Sequence, residues 1–402
     1  EELLLVYPGV EKGSIVHHIV VRENRTHRIP GEYTDYWTWT GYWQTAQKRV
    51  LIDMPQAMAS RLQSFTLGSP TPEIQKTKLP DGRVQWLMET DQYPIWPSER
   101  MGTPLFHIGP LTYLTTLPDW DAFSKWYSPL LDERSVLPKE ILELSHTWVK
   151  DAKSPEEVLS ILFKKVAREI RYTSIDFGYA GLQPQSVDTI WTNKYGDCKD
   201  KSNFLRLLLE EHGIEAYFTL INTDHAGRID KRVPDYRHFD HAIVTAVMPD
   251  GSQIFCDPTI RFGWPGMMTP SLTNRPALLV DPQNQSGRWV TTPSTEPDKI
   301  SYTFDFKLSP AGELSGWMEL HTDNRYASSF QSRFDSSDEV SQRNEVNRYV
   351  RYFYPQAEVI DYELTAIDEF DTDFTLRAYL VTPLPRTAEG IALDWPEISW
   401  LL

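Results

Sequence analysis

The spacing of apolar and polar positions changes twice along this chain. Up to about residue 117 it suits strands. Residues 14–22 form a β-branched run, Ser14-Ile15-Val16-His17-His18-Ile19-Val20-Val21-Arg22, bounded by Gly13 and by polar residues. Residues 82–89 follow the turn signal Pro80-Asp81-Gly82, and the aromatic cluster Tyr36-Trp37-Thr38-Trp39 suits a pleated surface. From Leu117-Pro118 the period becomes helical. Trp120, Phe123, Trp126 and Tyr127 share one side of a segment ending at Asp132, and Pro138 opens a second helix through Trp148. Ser154, Pro155 and Glu157 supply the N-cap, first position and capping box of a third, whose Val158, Leu159, Ile161, Leu162, Val166 and Ile170 form one face.

A loop over 181–185 then leads to a helix over 198–211. Phe204, Leu205, Leu208 and Leu209 face inward in it, and Gly213 is its stop. Strands are predicted over 216–223, 241–247 and 253–257, with a polar insertion at 224–239 as a substrate-facing loop. After about Asp298 the alternation returns in Tyr302, Phe304, Phe306 and Leu308. Pro310-Ala311-Gly312 turns the chain into 314–320, a helix covers 344–354, and a strand covers 374–381. The pattern predicts a multi-domain α+β chain. It has a β-rich, sandwich-like N-terminal domain (1–117), a mixed core (118–298) and a β-rich C-terminal domain (299–402).

Composition narrows the function. At 402 residues, 40% hydrophobic and with 14 Trp, the chain has material for several packed cores. A net charge of −16 argues against nucleic acid and anionic membrane surfaces, which are bound through Lys and Arg. No apolar run approaches the ~20 residues of a membrane span. Glu1 begins within a strand-like run and residues 398–402 are largely apolar, so both ends read as trimmed, and any export signal would have been lost with them. Two cysteines make no disulfide framework.

One of those cysteines stands in Tyr195-Gly196-Asp197-Cys198-Lys199-Asp200-Lys201. Asp197 is a good N-cap and Asp200 completes a capping box, which puts Cys198 in the first helical turn. The positive end of the helix dipole and the unpaired N–H groups there favour a thiolate and can face an oxyanion. The polar neighbours argue for partial exposure. Downstream, His241 opens a strand in Phe239-Asp240-His241-Ala242, and Asp257 closes the next in Cys256-Asp257-Pro258-Thr259. Taken singly, His241 is a strand-end histidine and Asp257 a turn former. They gain meaning if they share a face, and parity decides that. A two-residue Asp250-Gly251 turn places them on opposite faces. A three-residue Pro249-Asp250-Gly251 loop, with Gly in the left-handed region, pairs Asp257 with Ile243 and makes His241 its diagonal neighbour. The three-residue loop is predicted. Cys256 then points to the opposite face, into the core. His225 and His238 are loop residues, and no zinc-type spacing surrounds His238 and His241, so no metal or other cofactor is expected.

These residues resemble the transglutaminase-like superfamily of papain-type thiol folds, in particular its bacterial branch with an N-terminal β domain ahead of the core. The resemblance rests on Ile170-Arg171-Tyr172, Pro184, the run from Tyr195 to Ser202, Phe239-Asp240-His241-Ala242-Ile243 and Asp257-Pro258-Thr259, with Pro8-Gly9-Val10-Glu11-Lys12-Gly13-Ser14 added by the N-terminal region. It implies a Cys198/His241/Asp257 triad performing acyl transfer on peptide or peptide-like amides, as a hydrolase or a transglutaminase. It also implies an upstream side chain that completes the oxyanion hole. Gln183, Trp191 and Tyr195 are the candidates, and Gln183 is the choice. Branch members are frequently exported, so a periplasmic location and a peptide or protein substrate are expected. The alternative is a binding or scaffold protein that keeps the core without turnover.

Overall fold

The computed structural model describes residues 7–21, 28–91, 93, 95, 109–174, 181–223, 228–281, 283–295, 298–335, 338–365, 373–387 and 390–391. The N-terminal region contains β1 (Thr34–Thr38), β2 (Lys48–Pro55), a short α1 (Gln56–Ala59), β3 (Gln63–Leu67), β4 (Gln75–Lys78), β5 (Arg83–Thr90) and β6 (Leu111–Thr115). They form two antiparallel three-stranded sheets, β1-β6-β3 and β2-β5-β4. Trp39, Met54, Trp86, Met88 and Leu114 from both sheets fill one core, as in a sandwich. The strand predicted over 14–22 is not there. Residues 14–21 are irregular, with Ile15, Ile19, Val20 and Val21 exposed, and Arg22 lies outside the described residues. β-branched propensity stabilises a strand only where a neighbour supplies a ladder and a packed face.

The central helices are α2 (Trp120–Asp132), α3 (Lys139–Val149), α4 (Pro155–Glu169), α5 (Val187–Asn193) and α6 (Cys198–Glu211). Ser154 caps α4 by accepting from the Glu157 N–H, while Glu157 reaches back to the Lys153 N–H, one residue before the cap. Two minor strands, β7 (Arg171–Tyr172) and β8 (Tyr195–Gly196), pair in parallel just ahead of α6. The main sheet comprises β9 (Glu215–Ile221), β10 (His241–Val247), β11 (Gln253–Cys256), β12 (Pro276–Asp281) and β13 (Ser286–Thr291), in the antiparallel order β11-β10-β9-β12-β13. The pattern did not single out α5, β12 or β13. In β12 the run Ala277–Val280 is buried throughout, so it lacks the alternation that marks a half-exposed strand. Even-numbered positions such as Phe218, Val244 and Leu278 face the helices. Ile221, Ile243 and Phe255 face Met268 and Leu272 on the other side.

The C-terminal region is a sheet of β14 (Ile300–Leu308), β15 (Glu313–Thr322), β16 (Glu358–Thr365) and β17 (Phe374–Pro383), ordered β14-β15-β17-β16. α7 (Asn324–Phe334) and α8 (Glu339–Phe353) lie against it, with Phe330, Phe334, Tyr349 and Phe374 in the shared core. The region is β-rich as expected, and it carries one helix, α7, beyond the one predicted over 344–354. α7 went unrecognised because Ser328, Ser329 and Ser332 are weak helix formers, although Ala327, Phe330 and Phe334 keep helical spacing.

Candidate active site

α6 begins at Cys198 because its first turn is tightly capped. The Asp197 carboxylate accepts from the N–H groups of Lys199 (3.1 Å) and Asp200 (3.2 Å), and the Asp200 carboxylate accepts from the Asp197 N–H (3.1 Å). Asp200 also receives the Gln185 N–H at 2.8 Å and its side-chain amide at 3.2 Å, which pins the preceding loop to the helix start. Gly196 is required by proximity, since a Cβ there would lie 2.9 Å from that of Asp200.

Cys198 is half-exposed, as expected, but its polar neighbours are not. Asp197 and residues 199–203 are buried, and each polar side chain is satisfied by a partner distant in sequence or by the cap itself. Lys199 pairs with Asp197. Lys201 donates to the carbonyls of Ala167 (3.1 Å) and Ile170 (2.6 Å). Burial pushes the Lys201 ammonium down to about 7, with the Asp257 carboxylate working against that shift. Polarity in the sequence therefore signalled a partnered interior as much as contact with water.

The β10–β11 hairpin has the three-residue loop. Met248 accepts from the Gly251 N–H, its own N–H donates to Ser252, and Gly251 has φ +83°. Val244 pairs with Cys256 and Val247 with Gln253, the predicted register. His241 and Asp257 consequently meet, with His241 Nε2 2.9 Å from Asp257 Oδ2. β11 ends one residue earlier than expected, at Cys256, so Asp257 stands just past the strand. Its other oxygen accepts from the Thr259 hydroxyl (2.6 Å) and N–H (3.0 Å). Cys198 stands beside His241 in the same cleft and helps to raise its value, and with Nε2 engaged by Asp257 it is Nδ1 that remains for the sulfur.

Burial works against a charged imidazole at position 241. The Asp257 charge and hydrogen bond, joined by Cys198, outweigh it and hold His241 well above the ordinary histidine range. Burial likewise opposes the Asp257 carboxylate, but His241 and Thr259 keep it below the usual carboxylate range. Cys256, by contrast, is fully buried in the helix-side core, and burial pushes its thiol up to about 12. Both cysteines are free.

Two further contacts brace the elements that carry Cys198 and His241. Ser202, one turn along from Cys198, donates to the Ala242 carbonyl at 2.9 Å and ties α6 to β10. Asp240 accepts from the Thr223 N–H and hydroxyl at 2.7 and 2.8 Å, locking the approach to His241. Neither was recognised in the sequence. Ser202 could have been, because its i+4 spacing from Cys198 puts both on one helix face.

A cleft of about 370 Å³ opens over Cys198 and His241. Phe123 and Tyr127 of α2 and Leu182 of the preceding loop give it an apolar wall, while Tyr236, Arg237 and Phe239 come from the end of the polar insertion. That insertion does face the cleft, although its residues 224–227, including His225, lie outside the described residues. The buried ring of His238 packs on Tyr113 (5.1 Å between centroids) and Trp120 (6.2 Å). Gln183 is engaged elsewhere, its amide donating to Glu133 at 2.8 Å and to the Leu130 carbonyl at 3.4 Å. Its neighbours Gly181 and Leu182, and not Gln183, line the cleft. Trp191 packs against Trp148 and Phe204, and the half-buried Tyr195 forms part of β8.

Among known proteins, no family model and no curated protein matches the chain. Among solved structures, it is similar to a candidate protease from Parabacteroides distasonis ATCC 8503. The identity is 14% and the TM-score 0.52, over 88% of this chain and 70% of that one, a likeness of fold. A candidate cysteine protease from Cytophaga hutchinsonii aligns over 57% of this chain and 71% of its own at 14% identity. Its TM-score of 0.26 is too low to count as a shared fold.

Proposed function

We propose that the chain is a thiol-dependent amidohydrolase or acyltransferase of the transglutaminase-like kind, acting on peptide amides. Cys198 is its nucleophile, His241 its acid–base and Asp257 the group that orients His241. The observation that carries this reading is Cys198 and His241 together in the wall of an open cleft, with His241 Nε2 2.9 Å from the buried Asp257 behind it. With the proton held on the His241 imidazolium, Cys198 attacks the amide carbonyl carbon as the thiolate. The Asp257 charge favours that imidazolium. The Asp197 cap engages the N–H groups of Lys199 and Asp200, which leaves that of Cys198 as the first-turn donor for the oxyanion. The imidazolium then gives its proton to the departing amine, and water or a second amine, deprotonated by His241, resolves the thioester. With the Gln183 amide bonded to Glu133, the backbone is the better-supported oxyanion donor.

The test is hydrolysis of a mixed peptide-amide library, with and without a primary amine. Wild type is expected to release amine, and Cys198→Ala to lose at least a thousandfold of the rate. Amine incorporated into product identifies transfer, and its absence hydrolysis. Equal turnover by Cys198→Ala removes the proposal.

A further inference from the structure

A second cleft, about 730 Å³, lies between the core and the C-terminal sheet domain, and Tyr172 lines both it and the cleft above Cys198. Its charge is out of keeping with a chain of net charge −16. Arg171, Arg261, Arg325 and Arg333 stand in its wall against a single carboxylate, Asp298, which is bonded to Arg325. Arg261 and Arg333 pair with carboxylates outside the wall, Asp335 at 2.8 Å and Glu345 at 2.6 Å, and Glu345 is shared with Arg348. Both guanidinium groups stay substantially open, with side-chain exposures of 48% and 37%. Arg171 is exposed and makes no side-chain ion pair among the described residues. Hydroxyls of Ser329 and Ser332 add donors, and Phe262, Met267 and Pro270 give an apolar floor.

We infer that this cleft binds the acidic segment of a peptide substrate whose scissile amide lies over Cys198, with the chain crossing Tyr172 between the two sites. Guanidinium forks bind carboxylates with charge-assisted, often bidentate bonds, and the space far exceeds that of a single inorganic anion. An extended peptide with apolar side chains and several carboxylates matches both the floor and the rim. Thr259 links the two sites physically: it lines this cleft while its hydroxyl holds Asp257. The inference rests on the amide-substrate reading above and adds that acidic residues mark the substrate.

The experiment is fluorescence anisotropy of a fluorescein-labelled Ala-Ala-Glu-Glu-Glu peptide titrated into full-length Cys198→Ala, which binds without turning over. Saturable binding is expected, at least tenfold weaker in Arg171→Ala and in Ser329→Trp, weakened by salt, and absent for the lysine counterpart. Ser329 is exposed on α7, so the tryptophan blocks the cleft without repacking a core. Absence of saturable binding, or unchanged affinity in both cleft variants, overturns the inference. The two proposals fail separately. Wild type that hydrolyses no amide while this binding holds overturns the amidase reading alone, and hydrolysis without cleft-dependent binding overturns only the acidic-substrate inference.

Discussion

Thr259 illustrates how a single side chain sets the chemistry of a neighbour it never touches. It spends its hydroxyl and its N–H on one oxygen of Asp257, so the other oxygen is turned to His241. Asp257 in turn supplies the charge that keeps the imidazole protonated above its ordinary range. Asp257→Asn keeps the shape but removes that charge, so the His241 titration followed by NMR is expected to move to lower pH. Thr259→Val is expected to move it in the same direction by less and to cut kcat/KM about tenfold, the worth of one hydrogen bond, with Thr259→Ser restoring both. A His241 titration unchanged in Asp257→Asn counts against the pairing. At this scale the sequence was readable where chemistry is local. Asp197 and Asp200 announce a capping box, and Asp257 ahead of Pro258-Thr259 announces a carboxylate held by its own turn. It was opaque where the partner is distant. The carbonyls that receive Lys201 belong to Ala167 and Ile170, and nothing near residue 201 points to them.

Among the elements, α6 and the β10–β11 hairpin must be registered to within a hydrogen bond, and two devices do it. The Pro249-Asp250-Gly251 loop sets parity, because its glycine adopts a conformation that other residues resist and so fixes the strand pairing. That is why the meeting of His241 and Asp257 is legible in the sequence. Ser202 sets the other distance by bonding the Ala242 carbonyl inside the packed interface. Ser202→Ala leaves that buried carbonyl unpaired. It is expected to cost about 1–3 kcal/mol, read as a lower urea midpoint, and to slow turnover as α6 loosens from β10. An unchanged midpoint would show that the contact contributes nothing. The strands and helices that escaped the pattern did so for physical reasons. Residues 277–280 are buried throughout and carry no alternation, the α7 serines mask its apolar stripe, and residues 14–21 have the right composition but no ladder.

The whole molecule brings its parts together at the cleft. Arg237, in the cleft wall, bonds both Asp235 of the core and Asp35 of β1, so the N-terminal sandwich is tethered at the edge of the candidate site. This convergence was not legible, since Asp35 and Arg237 lie two hundred residues apart with no pattern linking them. The division into β-rich and mixed stretches was legible, because the hydrophobic period itself changes. Stability should carry the mark of the buried ion pair. The folded value of His241 is raised, so its share is full below about pH 6.5 and fades as pH climbs through that folded value. The folded value of Asp257 is depressed, so its share is present above about pH 4 and is lost as pH falls through that folded value. The stability gap between wild type and the His241→Gln/Asp257→Asn double variant is expected to be widest between about pH 4 and 6.5 and to narrow on either side. A gap that stays flat from strong acid to alkali contradicts the pair.

The most direct measurement is the mass of the protein quenched in acid during turnover of an activated peptide ester, followed by peptide mapping. One acyl group is expected on the peptide containing Cys198, absent in Cys198→Ala and slow to form in His241→Ala. Acylation of any other residue, or the same adduct in Cys198→Ala, contradicts the assignment of this sulfur as the nucleophile.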